Sequence, residues 1–243
     1  MSKQRLDILV FESGLADSRQ KAQSLIMAGK ILVNETPVTK AGTKVDSTLE
    51  IRIRGEANPF VSRGGLKLNG ALDDLKANVE NKIIIDVGAS TGGFTDCCLQ
   101  RGAKYVYAVD VGTNQLAWKL RNDNRVKSIE QTNAKEIMPH MFDPLPEVAV
   151  IDVSFISITK IFDAVSECLT ENAEIFAMVK PQFEAGRENV GKGGVVKDDA
   201  VRLMAAQKVI DYATNKGFTL INTTESKVPG PKGNREIFIH LKR

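Results

Sequence analysis

The feature that most constrains this chain is an apolar stretch followed at once by a glycine-rich turn. Residues 83–85 are three consecutive isoleucines, and Gly88, Gly92 and Gly93 follow before a helical pattern begins at about Phe94. A short run of β-branched residues predicts a buried parallel strand, and glycine lets the backbone turn sharply and approach a ligand closely. The pattern therefore predicts a cofactor-binding turn between a strand and a helix.

The details of this turn indicate which cofactor it suits. A dinucleotide-binding turn carries glycines in a G-x-G-x-x-G pattern, and here Ser90 stands at the second glycine position. Asp86 precedes Gly88 by two residues, where a carboxylate can orient a cationic amino-acid group. A second predicted strand, residues 105–109, ends at Asp110, which lies 22 residues beyond Gly88 and close to the spacing of about 20 expected for an acid that holds ribose hydroxyls. The glycine turn alone could be purely structural, and Asp110 alone could be a solvated acid. Together the two features favour S-adenosylmethionine.

Composition excludes several classes of protein. The 243 residues, 42% of them hydrophobic, are enough to bury a sizeable core. No apolar run follows the N-terminus, and no segment approaches the roughly 18 apolar residues that a membrane span needs, so we expect a cytoplasmic protein without a membrane partner. Cys97, Cys98 and Cys168 are too few for a disulfide framework and are expected in the core. No His or Cys cluster has metal-ligand spacing, so no metal site is expected.

The N-terminal part of the chain is basic. Residues 1–70 hold 11 Lys and Arg against 7 Asp and Glu, whereas the rest is balanced at 22 against 23. Such asymmetry indicates an anionic partner at this end, although an ordinary solvated surface also fits an excess of this size. Residues 4–53 read as two short helices, ended by Gly14 and Gly29, followed by small strands at 31–34 and 49–53.

An ordered series of short motifs in this region resembles the ribosomal S4 RNA-binding module. The motifs are Arg5-Leu6-Asp7, Gly14-Leu15-Ala16, Ser18-Arg19, Gly29-Lys30-Ile31 and Val33-Asn34. That module grips structured RNA with its second helix and the adjoining loop. The resemblance implies that Arg5, Arg19, Lys21 and Lys30 contact phosphates.

The sequence predicts a domain of residues 1–53, a linker of residues 54–66 and a domain of residues 67–243. The linker contains glycines and a proline, and its flexibility would allow both domains to hold one substrate. Arg63, near its end, is a further candidate RNA contact.

Beyond the linker, helical and strand patterns alternate, which predicts parallel strands with helices on both faces. We therefore expect an α/β fold, a Rossmann-like doubly wound sheet preceded by a small α+β domain. The predicted strands include residues 83–87, 105–109, 126–129, 148–151 and 174–179, with an antiparallel pair at 218–223 and 236–241 joined by a turn at 229–231. The predicted helices include residues 66–75, 94–101, 115–120, 158–169 and 198–216. Trp118 is expected in the core.

Charged residues stand where two of the predicted strands end. Asp152 follows the fourth strand of this domain and Lys180 follows the fifth, and ligands bind at the carboxyl ends of the strands in such sheets. Because an unpaired charge at a partly buried rim is costly, we expect these two to pair or to be held for a task. Glu236 and Lys67 could join them, although a glutamate at the last strand is more often simply solvated.

Five further stretches resemble the TlyA family, the FtsJ-like ribosomal RNA 2′-O-methyltransferases that are also known as haemolysins. These stretches are residues 60–68, 86–95, 152–155, 179–184 and 193–196. The resemblance covers essentially the whole chain and implies a Rossmann-like methyltransferase domain, S-adenosylmethionine as cofactor, and a cytidine in ribosomal RNA or a ribosomal subunit as target. It places the family's Lys-Asp-Lys-Glu tetrad on Lys67, Asp152, Lys180 and Glu236. It also supports cofactor contacts by Asp86, Gly88, Ser90, Gly92, Gly93, Phe94 and Asp110.

These residue types suit methylation of a ribose hydroxyl. A lysine accepts the hydroxyl's proton only when desolvation or a second cation favours its neutral form, and Lys180 is the candidate base with Lys67 as the second cation. Asp152 and Glu236 would orient both ammonium groups but oppose that effect, so the balance stays open. Amino methylation of bases typically uses an Asn/Asp-Pro-Pro-aromatic strand end, which is absent here, and none of the cysteines is placed to attack a pyrimidine.

Two alternatives from other classes stay open. A membrane-lytic protein would need an export signal or a long amphipathic or apolar segment, and neither is visible. An RNA-binding protein without catalysis is the second alternative, which the intact strand-end motifs disfavour. Residues 184–198 form a glycine-rich loop that is either a lid ordering on RNA or a mobile loop without a role. The sequence indicates neither the oligomeric state nor the target nucleotide.

Overall fold

The computed structural model of this chain describes residues 3–16, 18–54, 58–230 and 233–243. They fall into two compact units, Met1–Asn58 with Val228–Asn234 and Pro59–Lys227 with Arg235–Arg243. Gly55 of the predicted linker and Pro231 of the predicted turn lie outside the described residues.

The first unit packs two helices against small antiparallel sheets. Its elements are β1 (Lys3–Arg5), α1 (Leu6–Glu12), α2 (Arg19–Met27), β2 (Ile31–Val33), β3 (Thr36–Pro37), β4 (Lys44–Asp46) and β5 (Ile51–Ile53). Strand β1 pairs with β4, and β2 pairs with both β3 and β5. Leu6, Val10, Ala22 and Ile26 form a buried core between the helices and the strands. The two predicted helices and the strands near 31 and 51 are confirmed.

The second unit is a seven-stranded sheet with helices on both faces. Its elements are α3 (Arg63–Asp74), β6 (Ile83–Val87), α4 (Gly93–Gln100), β7 (Tyr105–Val109), α5 (Trp118–Arg121), β8 (Val126–Ile129), β9 (Val148–Ile151), α6 (Phe162–Glu167), β10 (Glu174–Val179), α7 (Pro181–Glu184), α8 (Asp199–Asn215), β11 (Thr219–Glu225) and β12 (Ile237–Lys242). The strand order is β11-β12-β10-β9-β6-β7-β8, and only the pairings of β12 are antiparallel. The predicted doubly wound sheet with an antiparallel last pair is confirmed.

The sheet separates two buried clusters, one on each face. Strand β6 alternates between them, since Ile83, Ile85 and Val87 pack on one side while Ile84 packs on the other. Both faces of the parallel strands are therefore covered, as the apolar runs predict.

Two local predictions were wrong in part. The helix predicted over 158–169 is a 3₁₀ turn at Ile158–Lys160 followed by α6, and the β-branched side chains at 158, 159 and 161 favour such an interruption because their χ1 freedom is restricted. Trp118, expected in the core, is 76% exposed. Helix α5 has only four residues and buries Leu120 instead, and residues two apart do not share a helix face.

Helix α3 begins at Arg63, three residues before the predicted linker ends. Ser62 caps it by accepting a hydrogen bond from the Gly64 backbone N–H, and the ring of Phe60 is buried. The last residues of the predicted linker are therefore ordered parts of the second unit.

Candidate active site

Five neighbouring strands place the predicted site residues in a row along one edge of the sheet. Val179 on β10 pairs with Ile237 on β12, so Lys180 and Glu236 are neighbours where the two antiparallel strands meet this edge. The parallel pairings of β10 with β9, of β9 with β6 and of β6 with β7 continue the row. The order along the edge is Glu236, Lys180, Asp152, Gly88, Asp110.

The cofactor turn depends on glycine at two points. Gly88 has a φ of 86°, and a Cβ there would lie 2.6 Å from the backbone oxygen of Asp152, so any side chain would force the ends of β6 and β9 apart. Gly92 has a φ of 93°, and a Cβ there would lie 2.3 Å from a methyl carbon of Leu120. Ser90 also has a positive φ, of 49°. The glycines therefore shape the turn through close packing as well as conformation.

Asp86 lies entirely inside the protein beneath this turn. Its Oδ2 accepts hydrogen bonds from the backbone N–H of Thr95 at 2.8 Å and from Thr95 Oγ1 at 2.6 Å. Its Oδ1 is buried and accepts no hydrogen bond from the residues that the structure describes. Burial raises the pKa of Asp86 to about 7, against the opposing hydrogen bonds of Thr95 and with smaller contributions from the charges of Asp152 and Asp110. A cation bound nearby would favour the charged form of this carboxyl.

Asp110 fixes the outer side of the turn. Its Oδ2 accepts a hydrogen bond from the Ser90 backbone N–H at 2.7 Å, and its Oδ1 accepts one from the Gly112 backbone N–H at 2.7 Å. Next to it lies a cavity of about 470 Å³, a volume typical of small-molecule sites. Gly88, Ser90, Asp110 and Asp152 are among its lining residues.

The other predicted cofactor residues line no part of this cavity. Phe94 is buried and stacks on Phe238 at 6.0 Å between ring centroids, and Gly93 packs against the N-terminus of α3, where a Cβ would lie 2.2 Å from Ser62 Oγ. Gly92 and Asp86 are also buried. The structure therefore places these four in the support of the turn, beneath the surface that Gly88, Ser90 and Asp110 present.

The four predicted catalytic residues form two adjacent ion pairs. Lys67 Nζ on α3 donates a hydrogen bond to Glu236 Oε2 at 2.5 Å, and both side chains are buried. Lys180 Nζ lies 2.5 Å from Asp152 Oδ1 and donates a hydrogen bond to Ser154 Oγ at 2.8 Å. The Lys180 pair is the more accessible of the two and is the one beside the cavity.

Electrostatics links the two pairs. Burial raises the pKa of Glu236 above its ordinary value, and the charge and hydrogen bond of Lys67 oppose this. Asp152 raises and Lys180 lowers the same pKa, which shows that the second pair lies within range of the first. Glu236 Oε1 is buried and receives no hydrogen bond from any described part of the chain.

Three residues of this edge were missed in the sequence. Ser154 holds Lys180, and Phe155, 92% exposed, has a φ of 65° that is rare for an aromatic residue. The ring of Phe155 lies 5.2 Å from that of Phe183. Glu184 is buried and accepts hydrogen bonds from Ser157 Oγ at 2.5 Å and from the Ile158 backbone N–H at 2.6 Å. The position of Ser154 and Phe155 directly after a strand-end acid was the available signal.

A second missed group lines the cavity beyond Asp110. Thr132, Asn133 and Ala134 follow β8 by a few residues and contribute to its wall. The rule that ligands bind where parallel strands end could have identified them, because the next strand along the sheet ends at Ile129.

The predicted RNA contacts are exposed. Arg5, Arg19, Lys21 and Lys30 lie on the surface of the first unit, and Arg63 lies on the surface of the second. The guanidinium groups of Arg5 and Arg19 both bind Asp7. In the loop at 184–198, Gly191 and Val195 form an isolated bridge.

Metal binding and membrane crossing each require a recognisable arrangement of side chains. Within residues 3–16, 18–54, 58–230 and 233–243, no group of three His, Cys, Asp or Glu side chains is arranged to hold a metal ion. Across the same ranges, no helix combines the length and apolar character that crossing a membrane requires. The three cysteines are buried, and burial raises the pKa of each thiol.

Family models match both parts of the chain. The FtsJ-like methyltransferase model matches residues 60–243, and the S4 domain model matches residues 4–51.

Relatives match over almost the full length. The chain is 41% identical over 239 residues to the 16S/23S rRNA (cytidine-2′-O)-methyltransferase TlyA of Mycobacterium tuberculosis, covering 98% of this chain and 89% of that protein. It is 48% identical over 238 residues to Hemolysin A of Brachyspira hyodysenteriae, covering 98% and 99%. A solved structure of a haemolysin from Streptococcus thermophilus is similar with a TM-score of 0.83 at 45% identity, covering 100% of this chain and 89% of that one.

Proposed function

Because the chain belongs to the FtsJ-like methyltransferase family and carries an S4 domain, we propose that it transfers a methyl group from S-adenosylmethionine to the 2′-hydroxyl of a cytidine in ribosomal RNA. A relative with 41% identity over nearly the whole chain carries that activity in its name. The observation that carries the proposal is the row of strand ends in which the Lys180–Asp152 pair adjoins the glycine turn and its cavity.

The residues of the turn fit the cofactor. Asp110 lies where a carboxylate can hold ribose hydroxyls, and Gly88 lets the backbone approach the ligand. The Oδ1 of Asp86 accepts no hydrogen bond in the described residues and lies buried beneath the turn, so its negative charge favours the cationic part of the molecule without contacting it. When bound, S-adenosylmethionine supplies an electrophilic methyl group on a positively charged sulfur.

The neutral amine of Lys180 is the group that takes the proton from the ribose hydroxyl and becomes an ammonium. Asp152 and Ser154, which both line the cavity, hold that ammonium and fix the position of Nζ beside them. The Lys67–Glu236 pair is more deeply buried, and its Lys67 ammonium is the second cation within electrostatic range of Lys180. Holding the hydroxyl oxygen in line with the methyl group contributes by proximity, worth up to roughly 7–11 kcal/mol in well-oriented cases.

The exposed aromatic side chain at the cavity suits a nucleotide drawn out of its stack. Unpaired RNA bases stack on aromatic rings, and Phe155 lines the cavity while packing beside Phe183. A base held there would keep its ribose close to Lys180. We assign the RNA grip to the exposed cations Arg5, Arg19, Lys21, Lys30 and Arg63.

A ribosomal subunit is the physiological partner in this proposal, and the cytoplasm is where the protein would meet it. The support is the rRNA substrate of the relative together with the S4 domain.

Methyl transfer from labelled S-adenosylmethionine to purified ribosomal subunits and to deproteinised rRNA tests this function. We expect label in RNA with the wild-type chain, and at least a hundredfold slower transfer with Lys180→Ala because general-base catalysis contributes about 10²–10⁴-fold. Cofactor affinity of Lys180→Ala should stay within about threefold of wild type, since the turn is intact. Lys104→Ala is the matched control because Lys104 precedes β7 at the opposite edge of the sheet.

The product must also resist alkali at one position, because alkaline cleavage requires a free 2′-hydroxyl. Label that enters RNA but leaves every position cleavable would mean methylation elsewhere on the nucleotide. Absence of transfer together with tight RNA binding would favour the function of a binding protein without catalysis.

A further inference from the structure

Asp7 is a buried carboxylate in the first unit that binds two arginines at once. It is fully buried and accepts hydrogen bonds from Arg5 Nε at 3.0 Å, Arg5 Nη2 at 3.1 Å and Arg19 Nε at 2.9 Å. Gln23 Nε2 donates a fourth at 2.8 Å. The hydrogen bond from Arg5, opposed by burial and reinforced by Gln23 and Arg19, holds the pKa of Asp7 well below its usual range.

The groups that meet at Asp7 come from three separate elements. Arg5 ends β1, Asp7 lies in the first turn of α1, and Arg19 begins α2. The Arg5 side chain also lies over Gly42, where a Cβ would approach Nη1 to 3.3 Å. Arg5 is therefore fixed by packing and hydrogen bonds, and Arg19 by its hydrogen bond to Asp7.

The two arginines remain about half exposed, at 43% for Arg5 and 49% for Arg19, although their partner is inaccessible. A guanidinium has five N–H donors, of which these bonds use two on Arg5 and one on Arg19. Two guanidinium groups so close together repel each other, and the buried anion between them offsets that repulsion. The outcome is a rigid, solvent-facing pair of cations.

We propose that Asp7 is a positioning residue for RNA binding, which fixes Arg5 and Arg19 as a paired site for the phosphodiester backbone. Arginine recognises phosphate through a planar fork of donors, and a fork that is ordered in advance loses less side-chain entropy on binding. The proposal rests on the function proposed above, because that function supplies RNA as the polyanion.

Replacement of Asp7 by asparagine tests the proposal. The loss of negative charge and the loss of arginine positioning predict opposite changes in the affinity for RNA. Asp7→Asn removes one negative charge, so electrostatics alone would strengthen the binding of a polyanion. If Asp7 positions the arginines, RNA binding weakens instead. Asparagine replaces one carboxylate oxygen by an NH2 group, and in either orientation that group faces an N–H donor of Arg5. At about 0.15 M salt we expect Kd for deproteinised rRNA to rise about fivefold for each phosphate that the variant no longer binds, with a shallower dependence on salt.

Glu12→Gln is the matched control. Glu12 is an exposed acid at the end of α1 whose Oε2 accepts a hydrogen bond from Gln4, so the variant changes the net charge equally without touching the arginines. We expect its Kd for the same RNA to stay equal or fall slightly.

A double-mutant comparison separates positioning from general support of the fold. In an Arg5→Ala, Arg19→Ala background, Asp7→Asn should cause no further decrease in RNA affinity, because its partners are already gone. A further decrease in that background would show that Asp7 maintains the whole unit and would overturn the proposal. Unchanged or tighter binding by Asp7→Asn alone would overturn it as well.

Methyl transfer distinguishes this proposal from the function on which it rests. With Asp7→Asn, we expect KM for RNA to rise while kcat at saturating RNA and cofactor affinity keep their wild-type values. If wild-type protein transfers no methyl group, the proposed function fails, whereas normal kcat and KM in the variant would leave that function intact and remove only the role of Asp7.

Discussion

At the residue scale, Asp86 is the carboxyl whose burial has the clearest consequence for the behaviour of the protein. It accepts two hydrogen bonds from Thr95 and has no access to solvent. Burial raises its pKa to about 7, whereas an aspartate in an unfolded chain titrates at about 3.9. Between those values the folded protein binds more protons than the unfolded chain, so the free energy of unfolding falls as pH rises through this window and levels off above it.

Asp86→Asn should remove this titration. Its amide oxygen can still accept both hydrogen bonds from Thr95, and the variant carries no buried charge at any pH. We expect the free energy of unfolding of wild type to fall relative to Asp86→Asn between about pH 4 and pH 7 and to level off above about pH 7, measured by urea denaturation at each pH. Asp211→Asn, which changes an exposed acid on α8, should show no such trend. If the free energies of unfolding of wild type and Asp86→Asn differ by the same amount at every pH in this range, the raised pKa of Asp86 is contradicted.

The sequence could predict which charged residues stand at strand ends, but not which side chains form hydrogen bonds with them. Asp152 and Lys180 follow apolar strands directly, and their pairing was a prediction from the cost of an unpaired charge. The hydrogen bond from Lys180 to Ser154 could not be read from the sequence, because a serine in a loop has no periodicity that indicates its partner. The exposure of Trp118 was missed for a related reason, since a four-residue helix gives too short a pattern to define its buried face.

At the element scale, Glu184 joins two segments that flank the site. It lies at the end of α7, and its carboxylate binds Ser157 and the Ile158 backbone N–H in the segment that follows β9. Lys208 Nζ on α8 donates a hydrogen bond to the Glu184 backbone oxygen at 3.0 Å. The segment so held also carries Ser154 and Phe155, so Glu184 fixes the wall of the cavity from behind.

Glu184→Ala should loosen that wall. It leaves the Ile158 N–H buried without its acceptor, so we expect the free energy of unfolding to fall by about 1–3 kcal/mol. Methyl transfer should fall more than cofactor affinity, because Lys180 depends on Ser154. Glu184→Gln can accept one of the two bonds and donate to the serine, so it should recover most of both properties. Equal decreases in the two variants, measured by urea denaturation and labelled methyl transfer, would show that charge rather than hydrogen bonding matters here.

Most helices and strands of the second unit could be predicted from the spacing of apolar residues and the length of each pattern. The strands at 83–87, 105–109 and 174–179 are built mainly of apolar residues, and α8 is long enough to show its pattern. Short elements did not follow, and β1, β3, β4 and α7 have only two to four residues each. Their formation depends on partners distant in the sequence, such as the pairing of β1 with β4, which no local pattern specifies.

At the scale of the whole molecule, the chain joins an S4 domain, to which we assign RNA binding, to an FtsJ-like methyltransferase domain. The basic excess lies in residues 1–70, and four of the five cations assigned to RNA binding belong to the first unit. Neutralising phosphates releases counterions, so affinity for RNA should fall steeply with salt and the slope should report the number of phosphates bound.

Removal of two of these cations tests whether RNA binding belongs to the first unit. Arg19→Ala with Lys21→Ala should weaken binding to rRNA and reduce the slope of log K against log salt by about two. Lys104→Ala with Lys242→Ala removes the same charge from the opposite edge of the catalytic sheet and should leave the slope within error. If both double variants lower the slope equally, RNA binding is a property of net charge and the first unit has no special part in it.

The most direct measurement of the central claim is a map of 2′-O-methylated riboses in ribosomal RNA from cells with and without this protein, read by resistance to alkaline cleavage. We expect at least one cytidine to be resistant when the wild-type chain is present and cleavable when it is absent or carries Lys180→Ala. Identical maps in all three strains would contradict the account.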